Sequence, residues 1–221
     1  MATSNSTDFE PNVTEFVEEA FERCGLELRT GYDLVSAKRS INLMLAEWAN
    51  RGLNQWTIGE GTQTVTKDTL NYTLDSNVID ILDCSIRRTN GSVTTDLSMT
   101  RLSRSEYLNI PVKSTTGRPT QFFLDKQNSP VLKIWPAPEN STDIIVFNKL
   151  VRMDDADTAL NTMDMPFRFY PCFVAGLAYY MSVKKAPEKS GMLKQMYEEE
   201  FERASSTDED RASFRIRPYI N

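Results

Sequence analysis

Three aspartates, Asp80, Asp83 and Asp125, and two tryptophans, Trp56 and Trp135, are the side chains of this chain that could be assembled into a reacting centre. A pair of carboxylates facing a sugar suffices for glycoside hydrolysis, one as acid and the other as base or nucleophile. With Trp56 and Trp135 lining a cleft, that chemistry would make the chain a carboxylate-dependent glycan (peptidoglycan) hydrolase active as a monomer. Most other chemistry lacks its usual residues. Histidine is absent, which removes the commonest general base and the commonest metal ligand. Cys24, Cys84 and Cys172 are far apart and sit among apolar neighbours, so they read as buried free thiols and not as a disulfide framework or metal set. Asp154, Asp155 and Asp157 lack the glycine and closing glutamate of a calcium loop and read as a solvated linker. The glycines at 59, 61 and 117 read as turn residues, and no phosphate-binding loop, nucleophile elbow or dinucleotide fingerprint is found. No catalytic residue, cofactor or metal is expected.

Composition narrows the classes further. The 221 residues are 40% hydrophobic and 25% charged, which describes one large or two small globular domains. No apolar run is long enough to span a bilayer. The first residues carry neither a basic stretch nor an apolar one, so no signal peptide is expected. The net charge of −6 argues against wrapping nucleic acid tightly, because phosphate binding wants a basic face. An acidic wall is compatible with DNA passing nearby without being held.

The elements that would position these residues fall into three blocks. Residues 1–11 form a polar tail. A helix opens at Asn12, where Glu15 completes a capping box, and carries Val13, Phe16, Val17, Ala20, Phe21 and Cys24 on one face up to Gly25. A second runs from about Asp33 to Asn50 with Leu34, Ala37, Ile41, Met44, Leu45 and Trp48. From Trp56 the period changes from about 3.6 to about 2. Strands are expected at Thr62–Thr66, around Tyr72, at Val78–Ile86, after an Asn90-Gly91 hairpin turn, and at Thr120–Leu124, Val131–Trp135 and Ile144–Lys149. A second capping box, Ser103 with Glu106, opens a short helix among them.

The helical period returns after residue 163. One helix starts near Met165-Pro166 with Phe167, Tyr170, Phe173, Val174, Leu177, Ala178 and Met181 facing a core, and Ala175-Gly176 allowing close approach. Pro187 ends it. The next carries Met192, Leu193, Met196, Tyr197, Phe201 and Ala204 on one face and Glu198, Glu199, Glu200 and Glu202 on the other. The predicted class is α+β: an antiparallel helical bundle built from 12–58 and 159–211, an inserted antiparallel β-sandwich or barrel over 59–158, and an extended arm at 212–221. In that arm Phe214 and Ile216 alternate with Arg215 and Arg217, followed by Tyr219 and Ile220, a pattern too apolar for a free tail and suited to docking on a partner.

Four stretches in this order carry a family resemblance: Ala20-Phe-Glu-Arg-Cys-Gly25 with Ile41-Asn-Leu-Met-Leu-Ala-Glu-Trp-Ala-Asn-Arg-Gly52; Gly117-Arg-Pro-Thr-Gln-Phe-Phe-Leu-Asp125 with Leu132-Lys-Ile-Trp-Pro-Ala-Pro138; Pro171-Cys-Phe-Val-Ala-Gly-Leu-Ala178; and the acidic helix with its tail. The chain resembles the head-to-tail adaptors (connectors, or tail tubular A-like proteins) of short-tailed double-stranded DNA bacteriophages. The resemblance implies a virion structural protein of the tail or neck, assembled in the host cytoplasm. It implies a dodecameric ring below the portal that extends the DNA channel and carries tail nozzle or fibre proteins, with no membrane involved and no catalytic residue. One relative is credited with cleaving peptidoglycan, but no motif here carries that activity over. On this reading Asp154, Asp155, Asp157, Glu198, Glu199, Glu200 and Glu202 are candidates to line the channel. Phe214, Arg215, Ile216, Arg217, Tyr219 and Ile220 are candidates to dock on the portal or a neighbouring subunit.

Overall fold

A computed structural model describes residues 5–29, 31–52 and 55–208. The arm residues, Phe214 to Ile220, lie outside the described residues. The chain is mixed α+β and divides into two compact units: residues 1–56 with 153–221, and residues 57–152.

The first unit contains α1 (Val13–Arg23), α2 (Gly31–Arg51), α4 (Tyr170–Lys185) and α5 (Ser190–Thr207). Helix α1 starts where the sequence says it must: the Asn12 side chain accepts from the Glu15 amide at 3.1 Å, and Glu15 accepts from the Asn12 amide at 2.7 Å. Two more of its first-turn amides are satisfied from far along the chain, Val13 by the Asn161 carbonyl and Thr14 by that of Ala159. Gly25, with φ +71, provides the left-handed exit.

Helix α4 packs on α1, α2 and α5. Phe16, Phe21, Trp48, Phe173 and Leu177 belong to a single core cluster, joined by Met153, Ala156, Leu193 and Tyr197. Gly176 permits the close approach: a Cβ there would sit 2.5 Å from Met44 Sδ and 2.8 Å from a Tyr197 ring carbon.

Three expectations for this unit are corrected. Phe167 is not in the core but 76% exposed, because residues 167–169 form a 3-10 turn that buries Phe169 instead; α4 then begins at Tyr170, with Pro171 in its first turn. Met192 and Met196 are exposed at the margin of the α5 stripe, whose buried residues are Leu193, Tyr197 and Ala204.

The second unit contains β1 (Ile58–Thr64), β2 (Asn71–Thr73), β3 (Val78–Asn90), β4 (Val93–Ser98), β5 (Thr100–Arg101), the short helix α3 (Arg104–Leu108), β6 (Thr116–Gly117), β7 (Gln121–Asp125), β8 (Val131–Trp135), β9 (Ala137–Pro138) and β10 (Ile144–Val151). They form an open sheet ordered β1-β10-β3-β4, a second ordered β2-β8-β7-β5, and the pair β6-β9. Neither four-stranded sheet closes into a barrel. Most pairings are antiparallel, but β5-β7 and β6-β9 are parallel, two-residue contacts that alternation cannot reveal. Ile81, Ile86, Ile145 and Phe147 from the first sheet share a core with Phe122, Leu124, Leu132 and Ile134 from the second.

The hairpin after β3 is displaced by one residue from its expected place. Asn90 pairs with Val93, so the two loop residues are Gly91, at φ +61, and Ser92. Gly59 and Gly61 are strand residues and not turn residues. Gly61 faces Phe147 across the ladder, and a Cβ there would lie 2.5 Å from that ring. Gly117 likewise lies in β6. Among the described residues no helix is long and apolar enough to cross a membrane.

Candidate interaction surfaces

Two of the three aspartates proposed for hydrolysis, Asp80 and Asp125, are held by cations. Asp125, on β7, meets Arg104 at 2.6 Å and Lys133 at 3.1 Å. Lys133 and Arg104 outweigh desolvation and hold its carboxyl below the usual range. Asp80, on β3, meets Arg101 at 2.7 Å and Lys126 at 2.9 Å. Burial works to raise its pKa, but Lys126, Arg101 and the Ile81 amide overcome it and the net shift is downward. A glycosidase acid needs the opposite shift. Asp83 is exposed on β3. Trp135 donates its indole N–H to the Val112 carbonyl at 3.1 Å. Trp56 packs on Phe169 in the helical unit, with ring centroids 4.4 Å apart, and donates to the Asp164 carbonyl.

The acids proposed for a channel wall divide by environment. Asp154, Asp155 and Asp157 are exposed, but their backbone is tied to α2: the Ala156 amide donates to Asn42 Oδ1 at 2.9 Å and Lys38 donates to the Asp157 carbonyl at 2.7 Å. Glu199, Glu200 and Glu202 lie along α5, with Glu199 and Glu200 near Arg203. Glu198 has another task. Its carboxylate receives Arg51 at 2.6 and 2.9 Å, and this ion pair holds it below the usual carboxylate range.

Arg51 is the centre of a clamp that sequence reasoning missed. Its guanidinium also meets Glu47 and lies 4.9 Å from the Tyr197 ring centroid and 4.6 Å from that of Phe201. Glu47 in turn accepts from Tyr180 at 2.9 Å and from Tyr197 at 3.2 Å. Burial and the Glu47 carboxylate push the Tyr180 hydroxyl up to about 12. The Glu47–Arg51 spacing of four was the available signal, but nothing in the sequence told that α5 would come to meet it.

A groove of ≈ 690 Å³ runs between the start of α1, the start of α4 and the segment before α1. Phe16, Tyr170, Phe9, Pro11, Pro171 and Val174 supply apolar surface, and Phe9 and Phe167 are each 76% exposed. Asp8, Glu10, Glu15 and Glu19 supply carboxylates, against the single cation Arg23. Burial and the nearby Glu10 raise the Tyr170 hydroxyl pKa. Among the described residues no group of three or more acidic or cysteine side chains is placed to hold a metal ion.

A model of the SU10 adaptor protein family matches residues 12–219, across both units. The chain therefore belongs to that family of phage adaptors. No curated protein matches it.

Proposed function

We propose that this SU10-family adaptor forms a ring, a dodecamer, below the portal of a short-tailed phage, extending the DNA channel and offering tail nozzle or fibre proteins a platform. The observation that carries the reading is the family match, whose bounds, residues 12–219, take in both units and most of the arm. The reading is supported by Asp80 and Asp125, two of the acids a hydrolase would call on, being engaged in ion pairs.

In this account the exposed acids Asp154, Asp155, Asp157, Glu199 and Glu202, with the partly exposed Glu200, face the lumen. Like charge would let DNA slide during packaging and ejection, where a basic wall would hold it. Glu198 is assigned a smaller part in the lumen because Arg51 neutralises it. The segment 212–221, with Phe214, Arg215, Ile216, Arg217, Tyr219 and Ile220, docks on the portal or a neighbouring adaptor. Burying its large side chains would contribute about 1.5–3 kcal/mol each, less the cost of ordering the segment.

Electron microscopy of the purified chain, alone and mixed with the portal protein from the same genome, tests the proposal. Rings stacked on portals are expected. A chain that stays monomeric in both samples would refute it.

A further inference from the structure

The groove beside α1 and the sequence beyond α5 complement one another. The groove carries four carboxylates and one guanidinium, a balance of three negative charges (four minus one). Two of the four are engaged, Glu15 by the Asn12 amide and Glu19 by Arg23 at 3.0 Å. Asp8 and Glu10 have no side-chain partner among the described residues. Below them the surface is aromatic: Tyr170 meets Phe16 edge-on at 5.1 Å and Phe9 at 6.3 Å. The sequence beyond Asp210 has the reverse character, with arginines at 211, 215 and 217 and apolar side chains at 214, 216, 219 and 220. If extended, it would place Phe214 and Ile216 on one side and Arg215 and Arg217 on the other.

The last described residue, Asp208, is anchored next to a residue that adjoins the groove lining. Helix α5 ends at Thr207, and the next residue, Asp208, is 7% exposed and ion-paired with Arg168. Arg168 adjoins Phe167, which lines the groove. Phe214 is then six residues from an anchored point, a reach of about 20 Å for extended chain. That exceeds the ~8–10 Å between packed helix axes. So short a tether gives the segment a high effective concentration at this groove.

We propose that residues 211–220 occupy this groove of their own chain in the isolated subunit. Phe214 and Ile216 lie on the Phe16–Tyr170 surface, and Arg215 and Arg217 reach Asp8 and Glu10. The arm is thereby stored on its own subunit, and assembly exchanges that site for one on a partner. This goes beyond the ring reading and would hold for a subunit that never formed a ring.

Cysteine cross-linking in the full chain tests it, since Cys24, Cys84 and Cys172 are all buried. The Glu10→Cys, Ser213→Cys chain, treated with a short bismaleimide, should give a cross-linked monomer at a rate independent of protein concentration. A control pair, Leu43→Cys with Ser213→Cys, places the first thiol on an exposed site of α2 outside the groove and should react far more slowly. With Asp8→Cys as the rim thiol, Glu10→Lys should slow the monomer cross-link by about tenfold, and adding Arg215→Glu and Arg217→Glu should restore it. Asp8→Cys also replaces Glu10→Cys if the latter chain does not fold. Cross-linked dimers that grow with concentration would place the arm in a second copy and overturn the proposal. Equal reaction of the control pair, or no response to charge reversal, would overturn it too.

Discussion

Trp48 donates its indole N–H to the Tyr197 hydroxyl at 2.7 Å, across 149 positions of sequence and inside a core where the two side chains are 0% and 1% exposed. The same hydroxyl donates to Glu47. One polar chain thus fastens α5 to α2, and the helical unit is complete only when both ends of the sequence have been made. Tyr197→Phe should leave the Trp48 donor buried without a partner and cost about 1–3 kcal/mol. Urea unfolding of the two chains measures it.

Gly176→Ala should destabilise despite alanine's better helix propensity. The gain is about 1 kcal/mol. Against it stands a Cβ driven to 2.5 Å from Met44 Sδ and 2.8 Å from the Tyr197 ring, an overpacking that costs about 1–3 kcal/mol. Met44 can yield; the ring, fixed by its hydroxyl, cannot easily. A lower melting temperature is expected, and Gly176→Val should lower it further.

Acid should loosen the β unit through Asp143. This carboxylate is 2% exposed and accepts three hydrogen bonds from Arg88, at 3.0, 3.1 and 2.8 Å. Burial opposes its ionisation, but Arg88 and Asn140 overcome that and depress its pKa. A folded pKa below the unfolded value of about 3.9 means the contribution is present above that pH and is lost as pH falls through the folded pKa. Asp143→Asn should therefore cost about 1–3 kcal/mol at neutral pH, and much less once the pH is below the folded pKa. Denaturant titrations at both pH values check the sign.

The cysteines should be silent until the chain unfolds. Burial pushes the Cys84 and Cys172 thiols up to about 12, and raises Cys24 as well, with Lys189 partly opposing. Native protein at pH 8 should react with a thiol reagent at least about a hundredfold more slowly than a free thiol. All three cysteines should react in urea. Fast native labelling of any one would show that its core is open.

The parts legible in the sequence were those decided locally. Asn12 with Glu15 and Ser103 with Glu106 are capping boxes in the structure as well. Val131–Trp135 is a strand with the expected ends. The shared core of Phe16, Trp48 and Phe173 followed from matching apolar stripes. What escaped was decided by contacts between distant segments. Alternation has too few residues to act on in β5, β6 and β9, which exist only because a neighbouring strand lies beside them. Gly61 resembled a turn glycine because its purpose, space for the Phe147 ring, lies on another strand. The groove escaped because its carboxylates come from the segment before α1 as well as from α1. Glu198 looked like its neighbours on α5, and only Arg51 from α2 sets it apart.

Native mass measurement of the complex between this adaptor and its portal tests the central claim most directly. The account predicts one closed ring of adaptor for each portal ring, and loss of that complex when the chain is ended after Asp210. A complex with no fixed ring stoichiometry, or full binding by the shortened chain, would contradict it.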